Sequence, residues 1–182
     1  VPLDVLLTFG GDGTLLRGAR MPEGRGIPSL GINLGKVGFL TSVSRNALPA
    51  ALDALVAGRY TTEPRQALKS HVLHADGQVT PLDLALNDVV VHKGGVARVI
   101  RLDVVVQGES VGPYSADGII VATPTGSTAY ALSADGPILY PSLAGLLLVP
   151  VAPQTLSNRP IVLNDDVVIE IESWKRVALH KN

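Results

Sequence analysis

The 182-residue chain contains no cysteine. That absence excludes disulfide staples, zinc–thiolate clusters and a cysteine nucleophile, and it is compatible with the cytoplasm. Aromatic residues are also scarce, at 4%, with one Trp and two Phe. Because apolar residues still make up 46% of the chain, a core must be built from Val, Leu, Ile and Ala. Charge of either sign is nearly balanced, with a formal net charge of -1. No basic field of the kind that draws nucleic acid is present, so no nucleic-acid partner is expected. Long hydrophobic runs are missing too. The longest, Leu143 to Ala152, is interrupted by Pro150 and is too short to span a bilayer. No basic segment followed by an apolar one opens the chain, so neither a signal peptide nor a membrane partner is expected. The chain starts almost at once with a strand-like run, as if it began inside a fold.

The order of elements is legible from periodicity. Val5 to Phe9 is a short apolar run ending in glycines and reads as a buried parallel strand. A helix is predicted from Thr14 through Met21, a second strand over Ile27 to Asn33, and a helix over Ala47 to Ala57. The second helix has Pro49 in its first turn and Gly58 as its stop. Strand, glycine turn, helix, strand is the beginning of a doubly wound α/β layer. From about residue 63 the texture changes to strands. Leu68 to His74 and Val79 to Leu84 flank Ala-Asp-Gly-Gln, a hairpin turn. Leu86 to His92, Val99 to Gln107, Gly118 to Ala122, Leu146 to Val151 and Val167 to Ile171 follow, with one helix from about Ser127 to Ala134. The expectation is a partial α/β domain over residues 1–62 and a β-rich, sandwich-like domain over residues 63–182.

Five segments carry chemistry. Gly10-Gly11-Asp12-Gly13-Thr14 follows a strand and opens a helix. Such glycines let backbone N–H groups approach an anion, and the helix N-terminus favours it. Asp12 would repel that anion, so it needs a reason of its own. The reading favoured here is acceptance of a hydrogen bond, and later a proton, from an attacking hydroxyl; the alternative is a turn Asp bonded to its own backbone. Gly31 to Phe39 is not a P-loop. Its glycine spacing is one residue short, and Val37 follows Lys36 where Ser or Thr is required. Phe39 could stack on a base, but by itself it is better read as a core anchor. Asn87-Asp88 stands in an apolar strand, where at least one side chain must be buried and needs a partner, a sugar hydroxyl or a protein group. Asp117-Gly118 through Tyr130 runs a buried strand into Thr123-Pro-Thr125-Gly-Ser127-Thr128-Ala129-Tyr130. Four hydroxyls in six residues suit the edges of a nucleoside, whereas a helix N-cap by Thr125 or Ser127 explains only one. Pro150 to Pro160 is a rigid loop that delivers Arg159, to an anion or to a structural ion pair. His71 and His74, three apart on a strand, face opposite sides, and His92 and His180 have no sequence partners, so no metal site is assigned.

Together these segments resemble the NAD kinase family. The match rests on GGDGT at 10–14, LGKVGFLT at 34–41, ND at 87–88, DGIIVATPTGSTAYALSADGPI at 117–138 and PVAPQTLSNRP at 150–160. GGDGT alone is shared with lipid kinases and phosphofructokinases, whereas TPTGSTAYALSA is specific. The resemblance implies transfer of a phosphoryl group from ATP or polyphosphate, with a divalent cation such as Mg carried by the donor, to the 2′-hydroxyl of the adenosine ribose of NAD. Asp12 would be the base. Gly11, Gly13 and Thr14 would hold phosphate, and Phe39 would lie against the dinucleotide. Asn87 and Asp88 would contact ribose hydroxyls. Thr125, Ser127, Thr128, Ala129 and Tyr130 would line the adenine and nicotinamide sites. Asp117 would reach the ligand of a neighbouring subunit, which implies a homodimer or homotetramer, cytoplasmic when bacterial.

The chain departs from the family pattern in four ways. Asp88 stands where Glu is usual, Gln154 where His is common, and Asp135 where the first glycine of Gly-Gly-Pro is usual. The family also has a strand and helix before GGDGT and a longer tail, so the chain is expected to be a fragment. Three other readings stay in view, one of them a plain structural fragment that binds nothing. A lipid or sugar kinase would share only GGDGT, and a non-catalytic module would bind the dinucleotide without turnover.

Overall fold

The computed structural model describes residues 3–21, 26–35, 38–94, 99–155, 157–173 and 177–181. It divides into two compact units, Val1–Pro64 and Arg65–Asn182. Among the described residues, no helix is long and apolar enough to cross a membrane.

The first unit is a small parallel α/β layer. Strand β1 (Leu6–Phe9) pairs in parallel with β2 (Ser29–Asn33), and β2 pairs in parallel with the two-residue β3 (Val43–Ser44). Helix α1 (Asp12–Ala19) connects β1 to β2, and α2 (Leu48–Val56) follows a 3₁₀ turn, with proline in its first turn. Helix α1 begins two residues earlier than the sequence pattern suggests, with Gly11 as N-cap, so Asp12 lies in its first turn. A carboxylate is favourable there, because the first helical amides carry partial positive charge.

The second unit is a two-sheet sandwich. One sheet has five strands, all antiparallel, in the order β11 (Ile161–Asn164), β10 (Gly145–Val151), β9 (Gly118–Ala122), β6 (Asp88–Lys93) and β13 (Val177–Lys181). The other orders β12 (Ile169–Ser173), β7 (Ile100–Val106) and β8 (Glu109–Ala116). A separate hairpin joins β4 (His71–Leu73) to β5 (Val79–Pro81) through the predicted turn, with Gly77 at φ 84°.

Strand β9 shows why the central run is uniformly apolar. Ile119 and Val121 point into the sandwich with Leu102, Val104, Tyr114 and Leu148. Ile120 and Ala122 point to the other face, against Leu147, Val149, Leu139 and Ala131 of the short helix α3 (Tyr130–Ser133). A strand buried on both faces loses the alternation of a half-exposed one. By contrast β7, covered on one side, alternates buried Ile100, Leu102, Val104 and Val106 with the more exposed residues between them.

Strand β8 is absent from the sequence prediction. It is reached by a two-residue turn, Gln107-Gly108, with φ of 51° and 81°. Both central residues of a primed hairpin turn need positive φ. Gln is not a usual choice there, so the signal was weak. Strands β11 and β13 were also unpredicted, being short and flanked by no strong turn dipeptide.

Candidate active site

In the first unit the site is built around the turn from β1 into α1. A Cβ added at Gly11 or Gly13 would meet nothing within 4 Å, so both glycines face open space. The Asp12 side chain turns back into the unit, toward the chain entering β3. Its Oδ2 accepts from the Phe39 amide at 2.7 Å; its Oδ1 accepts from the amides of Leu40 at 3.2 Å and Thr41 at 3.0 Å, and from the Thr41 hydroxyl at 3.1 Å. Partial burial alone would raise the Asp12 pKa, but these backbone and hydroxyl donors outweigh it and hold the carboxyl below its ordinary value. Asp12 is therefore ionised at neutral pH. Gly38 makes this possible, since a Cβ there would land on the carboxylate, 2.5 Å from Oδ2 and closer still to Oδ1.

The structure thus brings Asp12 together with the Phe39 backbone and leaves the Phe39 ring outward. Phe39 is 82% exposed, which overturns its reading as a core anchor. Phe39 reaches Asp12 through its backbone amide, and nothing in that bond draws the ring inward. Lys36 and Val37, on which the P-loop reading was rejected, lie outside the described residues. Sequence reasoning also missed Asn33 and Thr41, both buried and hydrogen-bonded to each other at 2.8 Å. Their available signal was position: Asn33 ends a parallel strand at the carboxyl edge, where ligand sites of such sheets gather.

In the second unit Asn87 and Asp88 are both buried, at 9% and 0% exposure. Asn87 precedes β6 and Asp88 is its first residue. The Asn87 carbonyl accepts from the Thr123 amide at 2.8 Å, and the Asn87 Oδ1 is buried with no hydrogen-bond partner among the described residues. Gly126 packs onto this backbone so closely that a Cβ would fall 2.7 Å from the Asn87 Cα and closer still to its carbonyl.

The hydroxyl-rich turn does not form one helix. A 3₁₀ turn over Thr125–Thr128 and α3 are separated by Ala129, at φ −99° and ψ −124°. Neither Thr125 nor Ser127 caps the 3₁₀ turn. Instead the buried Thr123 hydroxyl donates to the Leu86 carbonyl at 2.6 Å and accepts from the Gly126 amide at 3.1 Å. The Ser127 hydroxyl, fully buried, donates to the Pro124 carbonyl at 2.6 Å and accepts from the Leu139 amide at 2.9 Å. The Thr128 hydroxyl donates to the Thr125 carbonyl at 3.2 Å. Much of the hydroxyl inventory therefore shapes the turn. Tyr130, 44% exposed, is the outward-facing side chain.

Asp117 and Tyr130 line one cavity of about 250 Å³ together with His92, Lys93 and His180. Lys93 holds Asp117 twice: its Nζ lies 2.8 Å from Oδ1, and its amide donates to the Asp117 carbonyl at 3.0 Å. His92 and His180, partnerless in sequence, come to this cavity from the adjacent strands β6 and β13. Arg159 is exposed and makes no ion pair among the described residues. Among the described residues, no three His, Asp or Glu side chains lie close enough to hold a metal ion.

The class defined here is an α/β unit that presents an ionised carboxylate at a glycine-lined helix N-terminus, followed by a β-sandwich unit with a buried, hydroxyl-shaped turn. Residues 2–60 match the model of the ATP-NAD kinase N-terminal domain, and residues 86–179 match that of the ATP-NAD kinase C-terminal domain. The chain belongs to the ATP-NAD kinase family. It is 49% identical to the NAD kinase of Gemmatimonas aurantiaca over 172 residues, covering 94% of this chain and 60% of that protein. It is 48% identical to the NAD kinase of Heliobacterium modesticaldum over 169 residues, covering 93% and 59%. The chain thus spans about three-fifths of the length of these relatives. Among solved structures, the yeast NADH kinase complexed with NADH superposes with a TM-score of 0.92 at 34% identity, covering 98% of this chain and 53% of that one. An NAD kinase from Archaeoglobus fulgidus in complex with ATP gives a TM-score of 0.77 at 31% identity, covering 99% and 75%.

Proposed function

We propose that this protein phosphorylates NAD, transferring a phosphoryl group from ATP or polyphosphate to the 2′-hydroxyl of the adenosine ribose to give NADP. The observation that carries the reading is the setting of Asp12: an ionised carboxylate, fixed by four donors, beside glycines that face open space. A carboxylate held below its ordinary range is a weak base. That suits phosphoryl transfer, whose loose transition state asks the protein to orient the hydroxyl and spread charge more than to remove a proton early. Family membership and the dinucleotide and ATP named with the two solved relatives favour the same substrates.

In this reading Gly11, Gly13 and Thr14 receive phosphate at the first turn of α1, and Phe39 lies against the dinucleotide. The buried Asn87 Oδ1 accepts from a ribose hydroxyl, with Asp88 beside it. Leaving such an acceptor unpaired costs about 1–3 kcal/mol, so a ligand hydroxyl gains by filling it. Thr125, Thr128, Ala129 and Tyr130 line the base and nicotinamide sites. Ser127 contributes by fixing the turn, its hydroxyl being committed to Pro124 and Leu139. Asp117 serves a neighbouring copy in a homodimer or homotetramer in the cytoplasm. Among the described residues no group of three His, Asp or Glu forms a cage for a divalent cation; such a cation would arrive on the donor's phosphates.

The test is NADP formation by the full-length protein from NAD, magnesium and either ATP or polyphosphate, read with an NADP-specific dehydrogenase. NADP formation is the expected result. Saturable NAD binding without NADP would identify a non-catalytic module. Phosphorylation of diacylglycerol or a sugar, with no NAD binding, would identify the lipid- or sugar-kinase alternative.

A further inference from the structure

We infer that Asn33 and Thr41 are positioning residues that divide the labour between the two oxygens of Asp12: Oδ1 is consumed by the protein, and Oδ2 keeps the acceptor site that takes the substrate hydroxyl. The inference deepens the kinase reading and rests on it for the identity of that hydroxyl.

An ionised carboxylate offers about four acceptor sites, two on each oxygen. Oδ1 receives three donors, the amides of Leu40 and Thr41 and the Thr41 hydroxyl, and is filled. Among the described residues Oδ2 receives one, the Phe39 amide, and keeps a lone pair. The direction of the Thr41 hydroxyl follows from its neighbours. The Gly35 amide donates to Asn33 Oδ1 at 2.8 Å, which fixes the orientation of the Asn33 amide. Asn33 Nδ2 then faces Thr41 Oγ1 at 2.8 Å and can only donate to it. The Thr41 oxygen is therefore an acceptor from Asn33, and its own hydrogen is left for Asp12 Oδ1, 3.1 Å away.

The relay from Gly35 through Asn33 and Thr41 to Asp12 is anchored in regular structure. Asn33 pairs with Ser44 across the β2–β3 ladder, and Asn33 and Thr41 are 5% and 6% exposed. The bond between them is buried, so water does not compete for it. One edge of the carboxylate is thus held by buried groups, while Asp12 itself is only partly buried. A hydroxyl that reaches Asp12 is directed to a single lone pair, which fixes the line along which its oxygen faces the donor phosphate.

Thr41→Val keeps the shape and removes the hydroxyl; Thr41→Ala removes it without added bulk; Thr41→Ser restores it. The full-length variants are compared by kcat and KM for NAD, and by a ¹³C-carboxyl titration of Asp12 that needs no turnover. Both the Val and Ala variants are expected to lower kcat about tenfold or more with KM for NAD within about twofold. Both should move the Asp12 titration midpoint upward, and Ser should restore both values. Wild-type kcat in either hydroxyl-free variant, or an unmoved Asp12 midpoint, overturns the inference. A wild-type protein that forms no NADP overturns the kinase reading instead, and the titration then decides alone whether the relay sets Asp12.

Discussion

Gly38→Ala is the substitution for which the structure gives the sharpest expectation. The φ of Gly38 lies outside the left-handed region, so conformation alone does not demand glycine there. Space does, because an added Cβ would occupy the place of the Asp12 carboxylate. Either the carboxylate leaves its four donors or the chain at 38–41 withdraws; both outcomes break the same bonds. At about 1 kcal/mol net per hydrogen bond, discounted because water can replace donors at a partly exposed group, the loss is about 2–3 kcal/mol. A double-mutant cycle isolates the cause. In an Asp12→Ala background the clash is gone, and Gly38→Ala should then cost less than about 0.5 kcal/mol. The assay is denaturant unfolding of the four proteins, with hydrogen exchange of the amides at 39–41 as the local readout. Equal costs of Gly38→Ala in the two backgrounds would refute the claim that Gly38 exists to admit the carboxylate.

Further expectations follow from single sites. Asp135 closes α3 in the left-handed region at φ 62°, with its amide donating to the Leu132 carbonyl and that of Gly136 to Ala131. Glycine is the usual residue at such a helix end, so Asp135→Gly should stabilise the protein by about 0.5–1 kcal/mol, seen as a small rise in Tm. Ser127→Ala should destabilise by about 1–3 kcal/mol, because the buried Leu139 amide loses its acceptor; an unchanged unfolding midpoint would contradict this. Because the folded-state pKa of Asp12 is depressed, its contribution to stability is fully present above the unfolded carboxylate range, near about 3.9, and is lost as pH falls through the lower folded value. The stability difference between wild type and Asp12→Asn should therefore be flat above about pH 5 and shrink in more acid solution, as measured by unfolding at a series of pH values.

Much of the architecture was legible because it follows local rules. Glycines after apolar runs marked the carboxyl ends of parallel strands, Ala-Asp-Gly-Gln marked a hairpin, and the run at 118–122 marked a doubly buried strand. The miss at β8 came from Gln107, a residue that seldom adopts the positive φ its turn needs. The site was legible as motifs and not as contacts. Asp12 was read as a carboxylate aimed at a ligand, and nothing in GGDGT reveals that its donors lie 27 to 29 residues later in the chain. Phe39 was read as a core anchor, yet its ring projects outward and its own backbone amide makes the contact with Asp12. The hydroxyls of the turn at 123–128 were counted as ligand groups, and spacing does not show that three of them also bond to backbone. Sequence spacing shows which residue types are available, and only the tertiary hydrogen bonds show how each is used.

In the proposed reaction Asp12 is the group that receives the substrate hydroxyl. Its most direct test is a single-turnover measurement of NADP formation by the full-length protein and its Asp12→Asn variant, with bound NAD quantified in both. NADP is expected from the wild type, with a rate lower by about 100-fold or more in the variant and NAD still bound. A variant that phosphorylates NAD at a rate close to wild type would contradict that role of Asp12.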